Sequence, residues 1–339
     1  MPAHRPHRPW LRLLPWGVTI AIFAVLFQRV PVGEVVVALG QIRLLPYLAL
    51  MVPYSLVYCL VDAFVLTRVI TWFHTPVAYR RILPVRAAAY ILSLLNPGLG
   101  QGAVAFALHR REGIPLLELA GSLLFLVVLE FVQLALYAAV GVFVLHPHLA
   151  AAFAPIYAVL AGVLGLGLFY VHKGLTPLAP LLTWLGRRVR RDVTYCYHPS
   201  AAPVGLLRTF RQARAPHYLL TLVFKAPNFV LAVLLHHLAL QQFGVSIPVG
   251  TLFAFLPVVF LVASLPVTVA HLGTSQAAWV YFFAAYGDAS RLLAYSLVAH
   301  VTFMLLNSVI GLCFLPAALR QPAAPVVQSN TEQPETLAP

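Results

Sequence analysis

The sequence has little charge. Asp, Glu, Lys and Arg make up 9% of its 339 residues, hydrophobic residues make up 61%, and the mean hydropathy is +0.88. Soluble domains carry roughly a quarter charged residues, so an ordinary water-soluble enzyme or binding domain is excluded. Long polar stretches are lacking too. Apolar runs of membrane-spanning length recur from residue 13 to residue 316. They leave a tail at 1–12, a loop at 173–216 and a tail at 317–339, each short of the roughly 50 residues of an independent domain. Cysteine is scarce: Cys59, Cys196 and Cys313 form an odd, scattered set with no disulfide framework. Acids are scarcer still relative to bases, 9 against 22, giving a net charge of +13. With no soluble basic domain to hold nucleic acid, this excess reads as topology, because Arg gathers on cytoplasmic loops facing anionic lipid.

Catalytic patterns are absent as well. There is no Ser/His/Asp set, phosphate-cradling glycine loop or paired-carboxylate arrangement, so no enzyme activity or cofactor is expected. His236 and His237 are neighbours whose side chains leave a helix in different directions, with no i,i+4 partner, so no metal site follows. The stretch Tyr195–His198 is equally weak as a metal or nucleophile site.

What is present is a series of apolar segments whose flanking charges fix their direction. Spans are predicted at about 13–28, 44–67, 115–145, 151–171, 217–243 and 291–316. The basic start resembles a signal peptide but lacks a convincing small-x-small site, so it reads as a retained first span. The segment "VPVGEVVVALGQIR" is expected to lie in the interface. Arg68, Arg80, Arg81 and Arg86 place the following loop in the cytoplasm with the N-terminal tail, and Asp62 is expected to pair with Arg68.

Residues 87–108 then pose a problem, because "NPGLGQG" interrupts them and His109, Arg110 and Arg111 follow at once. A full crossing would put those arginines, and every later basic loop, outside. A chain that enters, turns and returns keeps all basic loops on one side. Each arm of roughly ten residues reaches about half the bilayer core, so the turn falls near the midplane. A second broken segment follows, with arms at about 251–265 and 274–286 separated by "LPVTVAHLG". It opens from the other side. Discontinuous helices in corresponding places of two halves of opposite topology are the pattern of alternating-access transporters. Two short tilted helices crossing fully remain the rival for this second segment.

Breaks at such depth are tolerated where protein buries them or a cavity hydrates them. A restarting helix presents unpaired N–H groups and the positive end of its dipole, which suits an anion such as phosphate. The restarts are predicted near Gly100–Gly102 and Gly273–Gln276, with Thr274 or Ser275 as cap; Asn96, Gln101 and Gln276 add neutral amides. The bland alternative is that neighbouring helices satisfy both breaks. Glu130 and Lys225 each lie inside a span, where an unpaired charge costs at least about 2.5–3.5 kcal/mol, and they are expected to meet. Gln133, Asn228, His300 and Asn307 complete the intramembrane polar set.

Two stretches, "YILSLLNPGLGQGAVAFALHRREGIPLLELA" and "SLPVTVAHLGTSQAAWVYFFAAYG", resemble the flippase-like transmembrane region of the lysylphosphatidylglycerol synthase family, over roughly residues 13–316. Where that family typically has glutamates, this chain has Gln101 and Gln276, and the family's following Arg falls on Val104. The synthase's soluble domain has no counterpart here. The resemblance implies the lipid-moving half without the enzyme half, with an anionic lipid acceptable to neutral amides.

The expectation is therefore an all-α polytopic protein of about six full spans and two re-entrant hairpins, forming an inverted repeat. It would sit in a bacterial inner membrane with both termini cytoplasmic. Its expected role is moving a phospholipid or lipid-linked glycan between leaflets, with membrane lipids bearing an anionic phosphate head group as partners. The alternative is a membrane anchor for a lipid- or glycan-synthesising enzyme, docking through the basic 173–216 loop.

Overall fold

The computed structural model describes residues 10–40, 42–145, 147, 150–172, 202–264 and 272–320. Every regular element among them is helical: α1 Trp10–Arg29, α2 Val32–Gly40, α3 Leu44–Phe73, α4 Tyr79–Leu95, α5 Pro97–Glu112 and α6 Leu116–Val140. A single π turn, Gly141–Leu145, extends α6. Then come α7 Ala150–His172, α8 Ala202–Gln212, α9 Ala215–Gln241, α10 Val249–Ala263, α11 Thr274–Phe283 and α12 Ala289–Leu319. Among the described residues, α3, α6 with its π turn, α9 and α12 are long and apolar enough to cross a membrane. The predicted interfacial segment forms α2, which leaves α1 at nearly a right angle. "LPVTVAHLG" and most of the 173–216 loop lie largely outside the described residues.

The order of elements repeats. A long helix, a pair of shorter helices and a second long helix occur as α3, α4–α5, α6, and again as α9, α10–α11, α12. Both short pairs fold back as hairpins. Arg81 at the start of α4 lies 3.3 Å from Glu112 at the end of α5. Thr251 Oγ1 at the start of α10 lies 3.2 Å from the Tyr286 hydroxyl beyond the end of α11. The hairpins enter the bundle from opposite ends. Arg111 of α5 donates to the carbonyls of Ala318 and Arg320 at the C-terminal end of α12, whereas Tyr286 directly precedes α12.

Each hairpin packs on the other half's closing helix, α4 on α12 and α10 on α6. Glycine permits both approaches. A Cβ on Gly311 would lie 2.7 Å from the Ala87 carbonyl oxygen, and one on Gly141 would collide with the Ala254 backbone. The main core lies between α3, α9, α10, α11 and α12, around Tyr47, Leu252, Trp279, Phe283 and Tyr295. At the opposite end, Phe73, Phe125 and Phe210 join α3, α6 and α8.

Candidate functional site

The first break is one residue long. Asn96 is extended (φ −161°, ψ 128°), as a residue before proline tends to be, and its side chain accepts from the Gly98 N–H at 2.7 Å. Pro97 opens the new helix, where its missing N–H costs nothing. The helix therefore restarts before Gly100–Gly102, because an Asn–Pro pair is a stronger start signal than the glycines. Its arms, at 17 and 16 residues, are longer than the ten expected. The Leu99 and Gly100 N–H groups bond the Asn96 carbonyl.

The second restart begins at Thr274, within the predicted Gly273–Gln276, but its cap is Gly273 and not Thr274 or Ser275. Gly273 has φ +94°, a backbone conformation that only glycine adopts readily, and its N–H donates to the side-chain oxygen of Gln276 at 2.6 Å. The first donors of the first restart thus have acceptors within their own turn, and at the second the Gly273 N–H does.

Depth can be counted along α12. Pro97 lies about 21 Å back along α5 from Arg111, whose partners are Ala318 and Arg320, which sets it near the level of residue 304. Trp279 packs against Tyr295, and Thr274 lies about 7 Å deeper, near the level of residue 300. The two breaks reach the middle of α12 within about one helical turn of each other.

Beside that level lies a charged and amide-rich interior. Lys225 Nζ donates to Glu130 Oε2 at 3.0 Å and to the Leu126 carbonyl at 3.4 Å, so the expected residues meet. Asp62 does not pair with Arg68. Its Oδ2 accepts from Arg86 Nε at 2.5 Å and from the Tyr90 hydroxyl at 2.6 Å, while Arg68 covers the Phe64 ring. Six residues apart on one helix, Asp62 and Arg68 point to different faces. Arg86, read from sequence as a loop residue, lies inside α4 with its side chain largely enclosed, and its Nη1 donates to Gln101 Oε1 at 3.1 Å. Gln101 therefore turns its acceptor to a buried cation of its own hairpin.

Two cavities lie within these groups. One of about 70 Å³ is lined by Tyr54, Tyr58, Asp62, Glu130, Gln133, Lys225 and Asn228, with Leu134, Phe229, Ala232 and Phe260. The other, of about 110 Å³, includes Ser275, His236, Trp279, Ser296, His300 and Phe303 in its wall. They share Tyr54 and Phe260. Of the expected site residues, Glu130, Lys225 and Ser275 line these spaces; Asn96, Gly100, Gln101, Gly273, Thr274 and Gln276 shape the breaks beside them. Among the described residues, three buried amide atoms lack a hydrogen-bond partner: Asn228 Oδ1, Gln276 Nε2 and Asn307 Oδ1. Such atoms are uncommon and mark places where another molecule can bind. His236 bonds the Tyr295 hydroxyl and His237 the Ile247 carbonyl, so the histidines diverge. No metal-ligand group occurs among the described residues.

A second polar junction joins the ends of α3, α6 and α8. His74 lies 2.7 Å from Ser122 Oγ and 3.5 Å from Glu118, Ser122 also meets Thr209, and Arg208 reaches Glu118 at 2.5 Å. Burial holds the His74 imidazole below its ordinary value; Glu118 pulls it up and Arg208 pushes it further down.

Compared with protein-family models, with curated proteins and with solved structures, the chain matches none. The resemblance to the flippase-like region rests on its two motifs.

Proposed function

We propose that this chain moves a lipid between leaflets, carrying the head group through the interior while the acyl chains stay in the bilayer. One observation supports the reading above the others. Two hairpins enter from opposite ends and stop at about the same depth, beside cavities lined by Glu130, Lys225, Asn228 and Ser275. Broken helices at mid-depth facing polar space are a recurrent device for substrate sites in transporters. In this reading α1, α3, α6, α7, α9 and α12 cross the membrane, the hairpins re-enter it, and the arginine-rich ends face the cytoplasm.

Because each hairpin rests on the other half's long helix, rocking one half against the other opens one end as it closes the other. The head group would occupy the cavities, with Glu130 and Lys225 exchanging contacts with it. The test is reconstitution into liposomes with head-group-labelled phospholipids and glycolipids, scoring label exposed to an impermeant quencher. Exchange above protein-free vesicles, slowed in the double variant Glu130→Gln/Lys225→Met, is expected. Exchange equal to protein-free vesicles for every lipid would overturn the proposal.

A further inference from the structure

The walls of the two neighbouring cavities point to the class of head group. The full charges nearest them cancel in two pairs, Asp62 with Arg86 and Glu130 with Lys225. A head group carrying net charge would leave that charge uncompensated in a low-dielectric interior, where it is strongly disfavoured. A neutral one would not.

Beside the hydroxyls of Tyr54 and Tyr58, the first cavity carries several acceptors with capacity to spare. Gln133 spends both amide hydrogens, on the Tyr137 hydroxyl at 2.9 Å and the Leu222 carbonyl at 2.7 Å, which leaves its oxygen as the group with capacity to spare. Asn228 Oδ1 is buried without a partner. Asp62 and Glu130 each engage one carboxylate oxygen in the bonds described, and a carboxylate has two. Aromatic rings stand beside these groups: Tyr54 and Phe260 line both cavities, and Trp279 and Phe303 line the second.

We infer that the cavities take an uncharged, polyhydroxylated head group, a sugar ring or cyclic polyol. Its hydroxyls would donate to Asn228, Gln133 and Glu130, and its apolar face would lie on Tyr54 and Phe260. Hydroxyls suit both the acceptors and Lys225, because each can donate and accept. An ammonium offers donors only, and a phosphate at this depth offers acceptors only while adding charge. The inference deepens the transport reading and rests on its choice of site.

The test is binding, kept separate from transport. The purified chain, in a polyoxyethylene detergent free of sugar, is titrated with three lipids of identical acyl chains bearing glucosyl, phosphoglycerol or phosphoethanolamine heads. Binding is read from Trp279 emission against a Trp279→Phe reference, and by retention of the lipid on size exclusion. The glucosyl lipid should bind most tightly. Asn228→Leu and Gln133→Leu should each weaken it roughly tenfold or more, since each removes an acceptor from a buried hydrogen bond. Tyr54→Leu, with Tyr54→Phe beside it, separates loss of the stacking wall from loss of the hydroxyl. Tighter binding of either phospholipid, or glucosyl binding unchanged in the Asn228 and Gln133 variants, would overturn the inference. Glucosyl binding without leaflet exchange would retire transport and leave the assignment standing; exchange of a charged lipid without glucosyl binding would do the reverse.

Discussion

Glu130 and Lys225 are unequal partners. The Lys225 side chain is 10% exposed and that of Glu130 51%. Glu130→Gln strands an enclosed ammonium, whereas Lys225→Met leaves a carboxylate that still meets the cavity. The first change should destabilise by about 3–5 kcal/mol and the second by less, and combining them should regain part of the loss. Thermal or denaturant unfolding of the four proteins in detergent measures this, and additive losses would show that the pair is not coupled. The two glutamines differ in the same manner. Gln101→Glu would place a carboxylate on Arg86, whose Nη1 already reaches that side chain, so the hairpin should hold its stability or gain. Gln276 is fully buried, and its amide oxygen serves Gly273. Gln276→Glu puts an acid into that buried place and should lower the unfolding temperature. Equal effects at the two positions would contradict these surroundings. The sequence makes both glutamines conspicuous through their breaks, but Arg86 hides among loop arginines, because its burial depends on which face of α4 meets α3.

At the scale of elements, the fold-back of the first hairpin was legible from charge, since a full crossing at 87–108 would have stranded several arginines on the wrong side, and that of the second only from the shortness of its two arms. Their ends were less so. The restart at Pro97 is set by an Asn–Pro cap, and the glycines nearby serve packing instead. Gly100 and Gly102 separate the two uses. A Cβ at Gly100 would collide with Ser93 Oγ, and one at Gly102 meets nothing within 4 Å. Gly100→Ala should destabilise by about 1–3 kcal/mol through overpacking, whereas Gly102→Ala should stabilise by up to about 1 kcal/mol through helix propensity; thermal unfolding of both variants decides it. Gly141 and Gly311 were not legible at all, since a glycine in an apolar helix carries no mark of the neighbour it admits.

The junction of α3, α6 and α8 answers to pH. With the folded value of His74 held below 6.5, the unfolded chain takes up the proton first as pH falls. The junction's contribution is full above the unfolded value and is lost as pH drops from there toward the folded one. Between about pH 7.5 and about pH 5.5 the wild type should lose more unfolding temperature than His74→Gln. Parallel pH profiles would remove His74 from the account.

Over the whole molecule, opposed entry of the hairpins makes a labelling prediction. Single cysteines at Arg81 and His109 should react with an impermeant reagent from one side only, and a cysteine at Asp288 from the other. Shared sidedness of all three would contradict the arrangement in which the first hairpin opens at the end of α12 and the second at its start. Four of the six predicted spans and the repetition of long helix, short pair and long helix could be read from the sequence. Which half each hairpin leans on could not, because that depends on surfaces hundreds of residues apart.

That crossed arrangement bears on how the chain is made. Synthesis runs from the N-terminus, so the α4–α5 hairpin is made long before α12, the helix it rests on, leaves the ribosome. Until then Ala87 and its neighbours have no Gly311 to meet, and the cap of Arg111 on the last carbonyls of α12 cannot form. The first half must wait, half-assembled, with Arg86 and Asp62 holding each other but the outer face of α4 bare. A chain stopped before residue 289 should stay in that waiting state, with its hairpin open to protease, and be cleared by the cell's quality control while the full chain persists.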